Sequence, residues 1–170
     1  MNWINYKWCT LDDEASLEKL VALFVDNIGT EYISHGEVID GRANNLNEWK
    51  ENIREIMREE FAEAMQTDFD HPETFNKLAM AQQNNDIIAV ALVEFHPNTK
   101  VCILCDIVVD KLLRGEKNGE TMLNWIETQI KLWGAKFLFL ESGENNHSAH
   151  KFFKRVGFQS SSVVMVKEIG

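Results

Sequence analysis

Residues 108–123 read VVDKLLRGEKNGETML, an apolar run, then a short loop with glycine and basic residues, then a helical pattern. A strand that enters a helix through such a loop presents free backbone N–H groups and a positive dipole end, which suits a pyrophosphate. Gly115 and Gly119 would let the backbone approach the anion, and Arg114 and Lys117 would add charge. An ordinary turn between a strand and a helix has the same pattern, so this stretch alone leaves both interpretations open.

The elements around this loop alternate between strand and helix. The apolar run from Val101 to Val109 predicts a strand buried on both faces. Phe137 to Leu140 predicts the next strand, Asn146 to Val156 a helix, and Val163 to Val166 a last strand. This alternation predicts right-handed crossovers and locally parallel strands.

The first half of the chain predicts a strand, two helices and a hairpin. Thr10 would cap the first helix, and the second, from Leu46 to Ala64, would be closed by Pro72. Asn84-Asn85-Asp86 reads as the turn between strands at 78–82 and 87–95. Together, the elements of both halves predict an α/β (α+β) fold in one domain over 1–170, with the order β-α-α-β-β-β-α-β-α-β. Its mixed central sheet would have about six to seven strands and about four flanking helices.

Charge and length limit the class of partner. The net charge of −10 repels phosphate backbones and anionic lipids, so we expect neither nucleic acid nor a membrane as partner. A cationic small molecule or basic peptide fits better, although many cytosolic proteins are simply acidic. The first residues, Met1–Trp8, lack the basic start and apolar run of a secretory signal, so we expect none, and three cysteines then favour reduced thiols in the cytoplasm.

A metal site is not expected. Cys102 and Cys105 have the spacing of a metal half-site, and His147 and His150 could supply further ligands. On a regular strand, however, residues three apart point to opposite faces, so the two sulfur atoms would diverge.

A second segment, FLESGENNHSAHKFFKRVGF at residues 139–158, adds a strand, a polar turn and a helix that ends in Gly-Phe. Together the two segments resemble the GNAT superfamily of acetyl-CoA-dependent N-acetyltransferases. The first is similar to its Arg/Gln-x-x-Gly-x-Gly/Ala loop and the second to its Asn-x-x-Ala-x-x-Phe-Tyr-x-x-x-Gly-Phe helix. The resemblance covers about Val101 to Val166 well, and over 1–95 it rests on element order.

The resemblance implies acetyl-CoA as co-substrate, no metal, and a V-shaped slot where the fourth and fifth strands of the predicted sheet splay apart. It places the cofactor against these residues: Ile107, Val108 and Val109 at the strand end; Arg114, Gly115, Glu116, Lys117, Asn118, Gly119 and Glu120 in the loop; and Asn146, Ala149, Phe152 and Phe153 on the last helix. Asn146 is equally suited to cap that helix, and both roles can hold.

Two residues depart from the family pattern. Lys117 stands at the usual first loop glycine, and a lysine takes a positive φ only at a cost. Either the loop is right-handed there, or phosphate binding is weakened, unless the lysine itself contacts a phosphate. Phe153 stands where many members carry a tyrosine that protonates the leaving thiolate, and phenylalanine has no proton to donate.

Two carboxylates are candidates for the catalytic base. Glu141 ends a predicted strand, at the place where members that acetylate ribosomal-protein N-termini carry a glutamate. Its alternative is a strand-end residue that faces solvent. Asp106 is the second candidate, because an acid inside a buried strand needs a partner or a function. His147 and His150 could contact the acceptor, but they read more readily as surface residues.

The sequence thus predicts a GNAT-type N-acetyltransferase that acetylates a primary amine of a small cationic molecule by direct transfer. Acidic residues in the acceptor region, about Tyr32 to Met65, favour a cationic amine: Glu31, Glu37, Asp40 and Glu48. The alternatives are a GNAT-fold CoA-binding or regulatory module with little catalysis, a protein N-terminal or lysine acetyltransferase, and an unrelated α/β domain. A homodimer stays open.

Overall fold

The computed structural model describes residues 3–66 and 74–169. In chain order the elements are β1 (Ile4–Trp8), α1 (Leu17–Asn27), α2 (His35–Ile39), β2 (Ala43–Asn45), β3 (Glu48–Trp49), α3 (Ile53–Gln66), β4 (Phe75–Gln83), β5 (Asp86–His96), β6 (Val101–Val109), α4 (Asn118–Leu132), β7 (Phe137–Leu140) and α5 (His147–Arg155). Short 3-10 helices lie at Leu11–Ser16, Thr30–Tyr32 and Lys111–Leu113.

The main sheet is mixed, as predicted. Its strand order is β1-β4-β5-β6-β7, and all neighbours are antiparallel except β6 and β7, which are parallel. Asn84 and Asn85 form the two-residue turn of the β4–β5 hairpin, with φ of 52° and 71°. Asparagine tolerates this left-handed conformation better than most residues, so the predicted turn is confirmed.

The chain divides into two compact units. The first, Met1–Ile28 with Glu51–Glu141, contains the main sheet and helices α1, α3 and α4. In its core the rings of Phe24 and Phe61 meet edge to face at 5.8 Å. Both side chains are fully buried, so they join α1 to α3.

The second unit, Gly29–Lys50 with Ser142–Gly170, contains α2, the β2–β3 hairpin and α5. Ser34 and Glu37 form a capping box at the start of α2, where the Glu37 carboxylate accepts bonds from Ser34 N (2.6 Å) and Ser34 Oγ (2.7 Å). A Cβ built on Gly143 would lie 2.4 Å from the carbonyl oxygen of Glu31. Only glycine fits this close approach of two backbones.

The structure differs from the sequence prediction at three elements. The second predicted helix begins at Ile53 rather than Leu46, because Ala43–Asn45 and Glu48–Trp49 pair as a small hairpin. The predicted last strand is wrong: Val163–Val166 has no strand conformation, since a run of β-forming residues supplies propensity but no pairing partner. The described residues form five α-helices rather than the expected four, because α2 occupies a predicted loop.

Pro72 and the possibility of a membrane-spanning helix were also considered in the sequence. Pro72 lies outside the described residues. Within the described part of the chain, no helix has the length and apolarity needed to cross a bilayer. The prediction of one domain over 1–170 stays a prediction.

Candidate cofactor and acyl-transfer site

Strand β6 pairs with β7 over only part of the length of β6. The parallel register runs from Val101 opposite Phe137 to Leu104 opposite Leu140, whereas β6 continues to Val109. On the other side of β6, Leu92 pairs with Asp106 and Val93 with Leu104, so Cys105 is the extra residue of a bulge. Because a bulge bends a strand and increases its twist, β6 changes course where its pairing with β7 stops. The second half of β6 therefore has no β7 residue paired with it, while the predicted V-shaped slot stays a prediction.

The backbone of β6 directs amide groups toward this unpaired side. Asp110 N donates to the carbonyl of Ile88 in β5 at 2.9 Å. Successive residues of a strand direct their N–H groups to alternate sides, so the amides of Val109 and Ile107 point away from β5. The carbonyl of Val109 also points away from β5, because it accepts a hydrogen bond from Arg114 Nε at 3.2 Å. Two amide donors thus face the side on which β7 has ended.

The side chains of β6 alternate between buried and half-buried. Leu104, Asp106 and Val108 are buried, while Ile107 and Val109 are half-buried. The predicted burial of both faces is therefore wrong: half-buried residues alternate with buried ones along the whole strand, including Val101 and Ile103 opposite β7. Asp106 is 1% exposed, so an acceptor does not reach it in this conformation.

The loop after β6 is held by the last residue of α1. Asn27 Oδ1 accepts from Lys111 N at 2.7 Å, and the Asn27 carbonyl accepts from Arg114 Nη2 at 2.5 Å. The Asp110 carboxylate caps the short helix by accepting from Leu112 N at 2.9 Å. Since Arg114 also bonds to Val109, its guanidinium fixes the loop between α1 and β6. Sequence reasoning assigned Arg114 a charge role and missed Asn27 entirely.

The start of α4 keeps its amide groups available. Lys117 is left-handed, with φ of 67° and ψ of 7°, so the right-handed alternative is wrong. Thr121 N makes the first helical bond, to the carbonyl of Lys117 at 2.9 Å. The amides of Asn118 and Gly119 come before that bond and so have no partner within the helix.

Two further features shape this helix start. The buried Asn118 side chain donates to the carbonyl of Leu113 at 3.0 Å, which ties the helix to the loop. Gly115 has a φ of 87°, and a Cβ placed there would have open space around it. The requirement for glycine at this position is therefore conformational rather than steric.

Side-chain charges nearly cancel around this site. Three cationic residues, Lys111, Arg114 and Lys117, are matched by three acidic residues, Asp110, Glu116 and Glu120. Attraction for an anion must therefore come mainly from the helix amides and dipole.

The predicted residues of the last helix belong to the second unit. Asn146 Oδ1 accepts from Ala149 N at 3.3 Å, which confirms the capping role. Phe153 is buried, and its ring packs on Phe152 at 5.1 Å and Phe158 at 5.6 Å. Within its unit, Phe153 is thus a packing residue. The structure brings Ile107, Val108 and Val109 together with the 114–120 loop, all within the first unit.

The remaining candidates are a carboxylate and two histidines. Glu141 directly follows β7 and is exposed, so the apolar neighbours Phe139 and Leu140 do not bury it. The rings of His147 and His150 lie 6.1 Å apart on α5.

The buried thiols are chemically inert at neutral pH. Burial, together with the nearby Asp13 carboxylate, raises the pKa of Cys9 to about 12. Burial also raises the pKa of Cys102 to about 12. A thiol that keeps its proton is a poor nucleophile and a poor metal ligand. Among the described residues, no group of three or more His, Cys, Asp or Glu side chains could hold a metal ion.

Comparisons with known proteins agree with this geometry. A sequence model of the acetyltransferase (GNAT) family matches residues 45–158. No curated protein matches the chain in sequence.

Three solved structures illustrate the similarity of fold. A transcriptional regulator from Bacillus halodurans C-125 has a TM-score of 0.67 and 16% identity, covering 98% of this chain and 100% of that one. The aminoglycoside N-acetyltransferase AAC(6')-Iy in complex with CoA has a TM-score of 0.65 and 12% identity, covering 99% and 96%. A ribosomal-protein-alanine N-acetyltransferase from Brucella melitensis biovar Abortus 2308 has a TM-score of 0.63 and 10% identity, covering 99% and 100%.

Proposed function

The chain belongs to the acetyltransferase (GNAT) family and is an acyltransferase; we propose that it transfers acetyl from acetyl-CoA directly to a primary amine of a small cationic molecule. One observation carries the proposal: β6 continues beyond its last pair with β7, and the loop that follows β6 leads to the start of α4, where the Asn118 and Gly119 amides have no partner within the helix. A diphosphate and an extended thioester arm need these two features side by side.

The residues of the loop fit a diphosphate. Lys117 has the left-handed backbone that a glycine would otherwise provide, so the turn keeps its shape despite the substitution. The amides of Asn118 and Gly119 would hold the phosphate oxygens, and the exposed Lys117 side chain would add a charge. Acetyl-CoA, when bound, supplies an activated acetyl thioester.

The residues of β6 would act on the charge that develops during transfer. The N–H groups of Ile107 and Val109 would donate to an oxygen that becomes negative, and fixed donors of this kind lower the barrier. Holding amine and thioester together supplies a further part of the rate. Because the thiols of Cys9 and Cys102 keep their protons, they offer no nucleophile for a covalent step, which supports direct transfer.

Glu141 is the proposed base. An exposed carboxylate at the end of β7 can accept a proton from an acceptor ammonium, directly or through water. Asp106 stays the second candidate, and its burial makes it less accessible than Glu141. Phe153 has no proton for the leaving thiolate, so that proton would come from water or another acid.

A cationic acceptor is favoured by charge. The net charge of −10 attracts cations, and Glu31, Asp40 and Glu48 are exposed in the proposed acceptor region. Glu37 is not available, because its buried carboxylate belongs to the capping box of α2. Two of the compared enzymes are named for amine acceptors, an aminoglycoside and a protein alanine, which keeps the peptide alternative open.

A second candidate function is a CoA-binding module with little catalysis. The observation that favours it is Phe153, which is committed to packing and cannot serve as an acid.

Calorimetry with acetyl-CoA and a thiol-release assay test the proposal. The panel would contain polyamines, aminosugars, a peptide with a free N-terminus, and neutral and anionic amines. We expect acetyl-CoA binding and turnover on cationic amines. Binding without turnover on any amine would favour the module, turnover on neutral or anionic amines alone would contradict the charge argument, and absence of binding would refute both functions.

The role of Glu141 has a matched control in Glu144, an exposed glutamate three positions later. We expect Glu141→Gln to lower kcat about 100-fold, with an unchanged KM for acetyl-CoA, because loss of a general base slows only proton transfer. Glu144→Gln should match the wild type. Equal activity of the two variants would remove Glu141 from the mechanism.

A further inference from the structure

Strand β1 carries a hydroxyl group that reaches the first turn of α4. Tyr6 lies in the middle of β1, and its phenolic O–H donates to Thr121 Oγ1 at 2.7 Å. The two residues are 115 positions apart in the chain, and Thr121 belongs to the first turn of α4. This bond therefore connects an outer strand of the main sheet to the helix start that the proposed function assigns to a diphosphate.

Thr121 passes this connection to the backbone at the helix start. Its hydroxyl accepts from Tyr6 and donates to the carbonyls of Lys117, at 3.2 Å, and Asn118, at 3.1 Å. The Lys117 carbonyl also accepts from Thr121 N at 2.9 Å. Because the ψ angle of a residue sets the direction of its carbonyl, these bonds hold Lys117 at its ψ of 7°. A hydroxyl held from β1 thus fixes the left-handed residue at which the loop becomes a helix.

The ring of Tyr6 is held in place by aromatic packing. It stacks on the ring of Trp125, with centroids 6.0 Å apart and planes inclined by 23°. Trp125 also packs on Trp8, the last residue of β1, at 5.0 Å between ring centroids. Residues four positions apart share one face of a helix, so Thr121 and Trp125 both face β1. Tyr6→Phe would therefore keep the stacked ring and remove only the hydroxyl group.

A second threonine of α4 offers a matched control. Thr128 Oγ1 donates to the carbonyl of Asn124 at 2.9 Å, which is the same bond to the residue four positions earlier that Thr121 makes to Lys117. Both threonines are exposed. Thr128 lies about two turns farther along the helix, so the loss of its hydroxyl would leave the helix start unchanged.

From these bonds we infer that Tyr6 is a positioning residue for acetyl-CoA, which keeps the first turn of α4 folded through Thr121 before the cofactor binds. The inference rests on the proposed function, because it concerns the affinity of the same diphosphate site. Helix ends fray, and a ligand that binds a frayed turn must first order it, which weakens binding. The tie to β1 keeps the Asn118 and Gly119 amides in place in advance. Since the acyl group would lie at β6, the affinity for acetyl-CoA depends on Tyr6 and the chemical step does not.

Calorimetry with acetyl-CoA and the thiol-release assay test this role on the full chain. We expect Tyr6→Phe and Thr121→Val each to raise the Kd and the KM for acetyl-CoA about 3–10-fold, the range of one hydrogen bond, with an unchanged kcat. The double variant should bind no more weakly than Thr121→Val alone, because both changes break the same connection. Thr121→Ser keeps the hydroxyl and should bind as the wild type does, and so should Thr128→Val.

Hydrogen exchange in the free protein reports on the tie itself. The Thr121 amide, bonded to the Lys117 carbonyl, should exchange about 3–10-fold faster in Tyr6→Phe, while the Thr128 amide keeps its rate. If the wild type binds acetyl-CoA, an unchanged Kd or an unchanged Thr121 exchange rate in Tyr6→Phe would overturn this inference and leave the proposed function standing. A loss in kcat without a change in Kd would do the same. A wild type that does not bind acetyl-CoA would refute the proposed function and this inference together.

Discussion

Lys117 lies at the entrance to α4 in a backbone conformation that disfavours a side chain. Its φ of 67° puts the Cβ close to the following carbonyl, which costs about 1–2 kcal/mol for a residue other than glycine. Lys117→Gly removes that strain but makes the unfolded chain more flexible, so we expect a net stabilisation of about 1 kcal/mol. For a chain of this size, that gain raises Tm by about 2–4 °C.

Two control variants isolate the cause. Lys117→Ala removes the charge but keeps a Cβ, so its stability should equal that of the wild type. Lys100→Gly, at a φ of 59° in the turn before β6, should stabilise the fold as much as Lys117→Gly does. The two glycine variants should be additive, because their positions share no described contact.

We expect the affinity for acetyl-CoA to depend on the charge of the Lys117 side chain and not on the backbone strain at that residue. An exposed ammonium near a phosphate contributes about 0.3–1 kcal/mol, so both Lys117 variants should bind acetyl-CoA about 2–5-fold more weakly. Lys100→Gly should bind it normally. Thermal unfolding and calorimetry measure both quantities. If Lys117→Ala stabilised the fold as much as Lys117→Gly, or if Lys117→Gly lowered Tm, the account of strain at this residue would be wrong.

Three further predictions use other positions. Gly115 and Gly134 have φ of 87° and 86°, so their alanine variants should each lower Tm by about 2–4 °C. Only Gly115→Ala should also raise the KM for acetyl-CoA in the thiol-release assay. Gly143→Ala should destabilise the chain by about 1–3 kcal/mol in urea unfolding, because its Cβ would meet the carbonyl of Glu31; an unchanged midpoint would contradict that contact. Because the pKa of Cys102 is raised, the folded chain keeps the thiol proton between pH 9 and 12, whereas the unfolded chain releases it. The free energy of unfolding should therefore fall as pH rises through that range. Urea titrations should show a shallower fall for Cys102→Ala, and an equal slope would exclude this thiol as a cause.

Local chemistry made much of this structure predictable. The Asn84-Asn85 turn, the strand before the loop and the helix that begins at Asn118 follow from residue preferences within a few positions. The same holds for the Asn146 cap. These features need no information about distant parts of the chain.

Long-range contacts explain what sequence reasoning missed. Arg114 bonds to the carbonyl of Asn27, which is 87 positions earlier in the chain, and no local pattern indicates such a pair. The bulge at Cys105 depends on register with β5 and cannot be read from β6 alone. Val163–Val166 has the composition of a strand, but strand formation requires a partner that sequence periodicity does not identify.

The incomplete ladder of β6 also gives this protein a natural reporter for isotope exchange. The amides of Ile107 and Val109 belong to an interior strand of the sheet, yet β7 offers them no acceptor. In the free protein their hydrogens should therefore be replaced by deuterium as quickly as those of a loop, while Val108 is protected by β5. A ligand that lies against this part of β6 should slow Ile107 and Val109 selectively, so occupancy can be followed amide by amide without any turnover.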